Sequence, residues 1–274
     1  MKYIDLHLHT FFSDGTSSPE EMVSSGLNEG LCAVAITDHD TVSGLDRAIR
    51  AAEAAGIEIV PGIELSSELG NTEIHILGYL IDHNDQRLLK ELNDLRQRRR
   101  ERAHNIVAKL NAIGVGIRMQ SVLDVAAEGV ISRLHIAKVL HKEGYAGSIG
   151  EAFQKYIGDN GPAYALGFRL SPQEAIKIIK AAGGIPVLAH PYSLRNDELV
   201  LELISFGIMG IEAYYPEHSQ GETNFYLNLA YERKLLVTGG SDCHGDAKPQ
   251  VHAGSVKVPY ELLERIKEAK ERLS

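Results

Sequence analysis

Residues 1–15 read MKYIDLHLHTFFSDG, and the stretch Tyr3-Ile4-Asp5-Leu6-His7-Leu8-His9 within them decides the fold. It alternates. In an extended chain the side chains of residues i and i+2 share a face, so His7 and His9 point one way and Leu6 and Leu8 the other. Two imidazoles on one face of an apolar strand are costly to bury unless their nitrogens find partners. A metal ion is the commonest such partner, since neutral imidazole binds zinc, iron, manganese and their neighbours well. The plainer reading, hydrogen-bonded core histidines, suits one buried His better than a His-x-His at a strand end.

Outward from this strand, strands and helices alternate. SSPEEMVSSGLNEG (17–30) opens a helix, with Ser18 as N-cap, Pro19 at the first position and Glu21 closing a capping box. Strands are expected at 3–8, 32–37, 57–65, 72–80, 185–190, 208–214 and 235–242, with one more at 253–258. Helices are expected at 43–56, 170–184, around 196–206 and 222–233, and from Tyr260 onward. Alternating β and α units predict a parallel sheet, and seven or so such strands suit a closed barrel. Residues 83–167 break this rhythm with helical segments that each stop at a glycine. The reading is therefore an α/β protein: a barrel from residues 1–82 and 168–274, with a helical domain inserted at 83–167. The basic run from Arg96 to Arg102 reads as a solvated helix face, with polyanion docking as the minor alternative.

The 274 residues are 44% hydrophobic and 24% charged, ordinary for a globular chain. No apolar run approaches the roughly 20 residues that span a bilayer, and the start lacks a signal-peptide pattern. Cys32 and Cys243 provide no disulfide framework, so a reducing cytoplasm is the expected compartment. A net charge of −9 argues against indiscriminate nucleic-acid binding, although bound cations would dominate the field inside a site. No membrane partner and no obligate protein partner is expected.

In α/β barrels the active site lies at the C-terminal ends of the strands. His7 and His9 end the first strand, with Asp14 in the loop beyond; Asp38, His39 and Asp40 follow the second. Glu64 ends the third, His75 lies within the fourth, His190 ends the fifth, and Asp242 and His244 follow the seventh. Scattered structural histidines would not sort themselves this way. Six imidazoles and the three carboxylates of Asp14, Glu64 and Asp242 exceed what one ion needs, because a catalytic zinc takes three protein ligands plus water. Two or three divalent ions are expected, with Glu64 or Asp242 as a bridge. The mixed N/O set suits manganese, iron or zinc without choosing among them.

The motifs DLHLHTFFSDGTSSPEEMV, AITDHDTVSGL, GIELS, EIHILGY, LAHP and GGSDCHG resemble those of the polymerase-and-histidinol-phosphatase (PHP) family, on both flanks of the insertion. The resemblance implies a distorted seven-stranded (β/α) barrel binding up to three metals. It implies that His7, His9, Glu64 and Asp242 hold one ion, that Glu64, His75 and His190 hold a second, and that Asp14, His39 and His244 hold a third. Asp38 and Asp40 are expected to orient His39 or nearby backbone.

Clustered ions at a barrel mouth favour phosphoester hydrolysis, with a metal-bridging hydroxide as the nucleophile. ISRLHIAKVL places Arg133 and His135 at a helix start, where an anion is favoured. The chain resembles the PHP subgroup with a helical insertion, the nucleoside 3′,5′-bisphosphate phosphatases and 5′-to-3′ exoribonucleases, in which the equivalent Arg and His hold substrate phosphate. The expected substrate is therefore a phosphorylated small molecule or nucleotide, or short single-stranded RNA. Tyr214, Tyr215 and His218 follow the sixth strand; His218 is a candidate substrate contact and a Tyr a candidate base platform. Asp159-Asn160 stands where that subgroup would carry a basic residue. The rival readings are a histidinol-phosphate phosphatase, which shares the metal set but tends to have His at the position of Asp14, and a non-catalytic metal-binding or regulatory barrel, whose mark would be missing ligands.

Overall fold

The computed structural model describes residues 2–70, 72–127, 129–158, 160–165 and 170–273. Two compact units emerge, one from Met1–Glu91 with Arg169–Ser274 and one from Leu92–Phe168. Asp159 lies outside the described residues.

The first unit begins with β1 (Tyr3–Leu8), α1 (Pro19–Asn28), β2 (Ala33–Ile36), α2 (Leu45–Ala55), β3 (Glu58–Leu69) and β4 (Thr72–Tyr79). Ser18 and Glu21 form the expected capping box at the start of α1, and Gly56, at φ 72°, stops α2 in the left-handed conformation. The second unit carries most of α3 (Gln86–Ala112), then α4 (Met119–Ala126), α5 (Arg133–Lys142) and α6 (Ile149–Ala152), which runs into a π-turn at Phe153–Ile157. Its core gathers Ile106 and Leu110 with Val122, Ile136, Leu140 and Ile157. Arg96, Arg98 and Arg100 lie exposed, whereas Arg102 donates to the Ala165 carbonyl at 2.9 Å.

The first unit resumes with α7 (Pro172–Ala181), β5 (Ile185–Leu188), α8 (Asp197–Ser205), β6 (Gly210–Tyr214), α9 (Gln220–Arg233), β7 (Leu236–Gly239), β8 (Val258–Pro259) and α10 (Glu261–Glu271). Among the described residues the strands form one eight-stranded sheet, ordered β7-β6-β5-β4-β3-β2-β1-β8. The further strand expected at 253–258 is present only as the two-residue β8, Val258–Pro259, antiparallel to the start of β1. The end of β1 is taken by the segment after β7. Leu8 bridges Cys243 in parallel, the His9 N–H donates to the Cys243 carbonyl at 3.0 Å, and the Asp242 N–H donates to the His7 carbonyl at 2.8 Å. This seam nearly closes the barrel. Gly240 makes it possible, because a Cβ there would lie 2.4 Å from the His7 Cβ and 2.5 Å from the His7 nitrogen.

The sheet is mixed rather than parallel, because β4 runs antiparallel to both β3 and β5. β3 and β4 form a hairpin whose turn begins at Gly70, φ 64°. β1 is buried on both faces. Ile4 and Leu6 pack with Ala33, Ala35, Val187 and, from α10, Leu263 and Ile266. Asp5, His7 and His9 are equally buried on the other face.

Candidate metal centre

All nine residues expected from the strand ends converge in the first unit. The Nε2 atoms of His7 and His9 lie 3.2 and 3.1 Å from Glu64 Oε2, and 3.5 and 3.1 Å from Asp242 Oδ1. The other oxygen of Glu64, Oε1, lies 3.1 Å from His75 Nδ1 and 3.2 Å from His190 Nε2, and those two nitrogens are 3.3 Å apart. Asp14 Oδ1 sits 3.2 Å from His244 Nε2, and Asp14 Oδ2 3.9 Å from His39 Nε2. His39 turns its Nδ1 to Glu64 Oε2 at 3.2 Å, so its ring stands between two groups of candidate ligands.

The reversed direction of β4 explains why His75 lies early in its strand. His75 pairs with Ser66, near the end of β3, so the beginning of β4 shares an end of the barrel with the C-terminal ends of its parallel neighbours. Three residues at the site adopt positive φ without being glycine: Asp40 at 52°, His190 at 25° and Asp242 at 54°. Such backbone costs roughly 1–3 kcal/mol per residue and persists where the surroundings enforce it.

The donor set fits divalent ions. With bonds of about 2.0–2.2 Å and near-tetrahedral angles, ligand atoms on one ion lie about 3.3–3.6 Å apart, close to most of these spacings. His9 Nε2, Asp14 Oδ1 and His39 Nδ1 are buried with no hydrogen-bond partner among the described residues. Buried nitrogens and carboxylate oxygens that converge at these spacings suit a cation. Three sets could each hold an ion: His9, Asp14, His39 and His244; His7, His9 and Asp242; and His39, Glu64 and His75.

Electrostatics follow from crowding. Burial disfavours the charged form of His9, but the adjoining carboxylates of Asp242 and Glu64 outweigh it and raise its pKa to about 9. Against the same burial, Glu64 and Glu73 raise His75 to about 10. Burial dominates at His39 and lowers it to about 4. Glu64 is held well below the usual carboxylate range despite its burial, by His39, His7 and His75. Asp242 is also held well below the usual carboxylate range despite its burial, by His7 and His9.

Several outer residues hold the candidate ligands. Glu212, fully buried in β6, places Oε1 2.9 Å from His7 Nδ1 and accepts the His190 N–H on Oε2 at 2.8 Å. A carboxylate on the far nitrogen fixes the tautomer that leaves Nε2 free to ligate. Asp242 Oδ2 accepts from Tyr215 Oη at 2.8 Å and Lys248 Nζ at 2.7 Å. Asp38 accepts from the Thr10 N–H, the Thr10 hydroxyl and the Ser13 hydroxyl at 2.6–2.7 Å, so it shapes the loop between His9 and Asp14. Asp40 accepts from the Ser66 N–H at 3.0 Å. The sequence reading missed Glu212 and Lys248. The signal for Glu212 was available, since a lone charge inside the apolar strand IMGIEAY demands a buried partner.

His218 stands apart from the ligand cluster. Its Nδ1–H donates to the Ala213 carbonyl at 2.9 Å, and its ring lies among Tyr192, Tyr215 and Tyr226. In the second unit, His135 is buried and its Nδ1 accepts the Ser132 N–H at 3.1 Å, so it caps α5. The Arg133 guanidinium lies over the Phe153 ring at 5.8 Å. Among the described residues no helix is long and apolar enough to cross a membrane.

Comparison with known proteins gives this geometry its context. The family model of the PHP domain matches residues 5–115. A 5′-3′ exoribonuclease of Haemophilus influenzae is 32% identical over 89% of this chain and 90% of its own. A 3′,5′-nucleoside bisphosphate phosphatase of Chromobacterium violaceum is 32% identical over 89% of this chain and 88% of its own. A solved structure from Bifidobacterium adolescentis, assigned as a metal-dependent phosphoesterase, superposes with a TM-score of 0.86 at 30% identity, covering 97% of this chain and 95% of that one. With a strand-end cluster of candidate ligands, a matching barrel and relatives that match over most of their length, the chain belongs to the PHP-domain family.

Proposed function

We propose that this protein hydrolyses phosphate esters of nucleotides, either nucleoside 3′,5′-bisphosphates or short 5′-phosphorylated RNA, with two or three divalent ions. The observation that carries this reading is Glu64, whose two oxygens face separate groups of imidazoles at 3.1–3.2 Å. His7, His9, Glu64 and Asp242 hold one ion in this scheme, Glu64, His75 and His190 a second, and Asp14, His39 and His244 a third. Bound divalent ions supply Lewis acidity and lower the pKa of coordinated water toward 7. The protein's share is to hold the nine donors in place: Glu212 orients His7, Tyr215 and Lys248 orient Asp242, and Asp38 shapes the loop that carries Asp14. Arg133, His135 and His218 are the proposed substrate contacts.

The test is phosphate release by the manganese-loaded protein from adenosine 3′,5′-bisphosphate, histidinol phosphate and a 5′-phosphorylated RNA oligomer. Preference for the bisphosphate or the RNA is expected. Preference for histidinol phosphate would overturn the nucleotide reading, and full metal occupancy without release from any ester would point to a regulatory barrel. Arg133→Met should impair nucleotide hydrolysis more than hydrolysis of a small generic ester. Equal loss on both would make Arg133 structural.

A further inference from the structure

A groove of about 470 Å³ runs between the single 3₁₀ turn Pro191–Leu194 and the first turns of α8 and α9. Tyr192, Phe225 and Tyr226 supply its rings, and Arg195, Asp197 and Glu222 its charges. It adjoins the metal centre by two routes. Tyr192 follows the ligand His190 by two residues. A file of rings also leads from His190 to Tyr215 at 5.5 Å, on to His218 at 5.3 Å and to Tyr226 at 5.1 Å, with Tyr192 edge-on to His218 at 5.9 Å.

We propose that this groove is a nucleobase subsite, which takes the base of the nucleotide whose phosphate is cleaved at the metal centre; this rests on the nucleotide reading above. Phe225 is 43% exposed, an apolar ring left in water at the groove's edge. Every base offers a π-face, and stacking on aromatic rings is the common way to hold one without reading its identity. Arg195 is exposed, its backbone is left-handed at φ 47°, and its guanidinium has no protein partner among the described residues. It suits a stacked base or a neighbouring phosphate. The carboxylates of Asp197 and Glu222 disfavour a second phosphate inside the groove and can accept from ring and exocyclic N–H groups of a base. A flat, uncharged heterocycle with N–H edges meets all three conditions.

The experiment compares kcat/KM of the manganese-loaded protein for adenosine 3′,5′-bisphosphate with that for its abasic analogue. Phe225→Ala and Arg195→Ala alter exposed side chains. The ratio should fall at least fivefold in Phe225→Ala, the lower bound of what one base–aromatic stack contributes, and should also fall in Arg195→Ala. A ratio unchanged in both variants would overturn the subsite. Binding of a 2-aminopurine dinucleotide to the metal-free protein gives a second readout. Quenching by the wild type that is lost in Phe225→Ala supports the groove, and absence of quenching in the wild type overturns it. If the wild type releases phosphate from neither ester, the phosphoesterase reading fails, while the quenching still decides the groove.

Discussion

Replacing Glu212 by Gln changes one atom of a buried side chain and should weaken metal binding about 30-fold. The carboxylate faces two partners, His7 Nδ1 at 2.9 Å and the His190 N–H at 2.8 Å. A glutamine offers one acceptor and one donor to the same places. If its oxygen keeps the His190 N–H, its NH₂ faces His7 Nδ1 and favours the tautomer protonated on Nε2, the nitrogen that faces Glu64 and Asp242. Hydrogen bonds to a charged group are worth about 1 kcal/mol more than neutral ones. Two of them amount to about 2 kcal/mol, or roughly 30-fold in affinity, inside the 10–100-fold range expected for residues that orient a ligand. Manganese affinity is read from the electron paramagnetic resonance of the free ion, and thermal unfolding provides the check. At an ion concentration of about 100 wild-type dissociation constants the wild type gains about 2.7 kcal/mol, and the variant should gain about 0.9. Equal gains and an unchanged affinity would refute the orienting role of Glu212.

The remaining predictions concern protons, packing and the shared ligand. His9 near 9 and His75 near 10 are protonated at pH 7 without metal, whereas His39 near 4 is not. Ion binding at neutral pH should therefore release at least two protons, and affinity should fall as pH falls; calorimetry in buffers of different ionisation enthalpy counts them, and zero release would contradict it. Gly240→Ala drives a Cβ to 2.4 Å from the His7 Cβ, so unfolding in urea should show a loss of about 1–3 kcal/mol; an unchanged midpoint would mean the seam tolerates a side chain. Asp242→Asn, which tolerates the left-handed φ of 54° better than Ala, should abolish turnover while circular dichroism stays native; near-normal activity would remove Asp242 from the ligand set. Lys248→Met and Tyr215→Phe act on the same oxygen of Asp242, so their effects on manganese affinity should couple by at least about 0.5 kcal/mol. Strict additivity would make the two contacts independent.

Much of this was legible in the residues themselves. The alternation of Tyr3–Leu8 defines β1 residue for residue, and the Ser-Pro-x-Glu boxes at Ser18 and Ser171 mark two helix starts, because both signals are local. Strand direction is not local. The expectation of a parallel sheet failed at β4, where no helix separates two strands and Gly70-Asn71, a hairpin dipeptide, stands between them. The nine candidate ligands could be gathered because each sits at the same end of its strand. Lys248 could not, because its contact with Asp242 depends on the path of an irregular loop. Glu212 shows the opposite case, a strand residue whose cost of burial was visible while its partner was not.

Asp5 has a consequence for how the molecule comes into being. Its carboxylate accepts the backbone N–H groups of Ser241 at 2.9 Å and Gly254 at 2.8 Å, partners 236 and 249 residues away in sequence. The same seam delivers Asp242 and His244 to His7 and His9. Contacts of such separation form late, since the loop they close is nearly the whole chain. A nascent chain that has emerged only as far as β6 holds His7, His9 and Glu64 but lacks Asp242, His244 and the tie to Asp5. In the proposed scheme, metal capture at full strength would require that synthesis has passed β7, which brings Asp242 and His244 to the site.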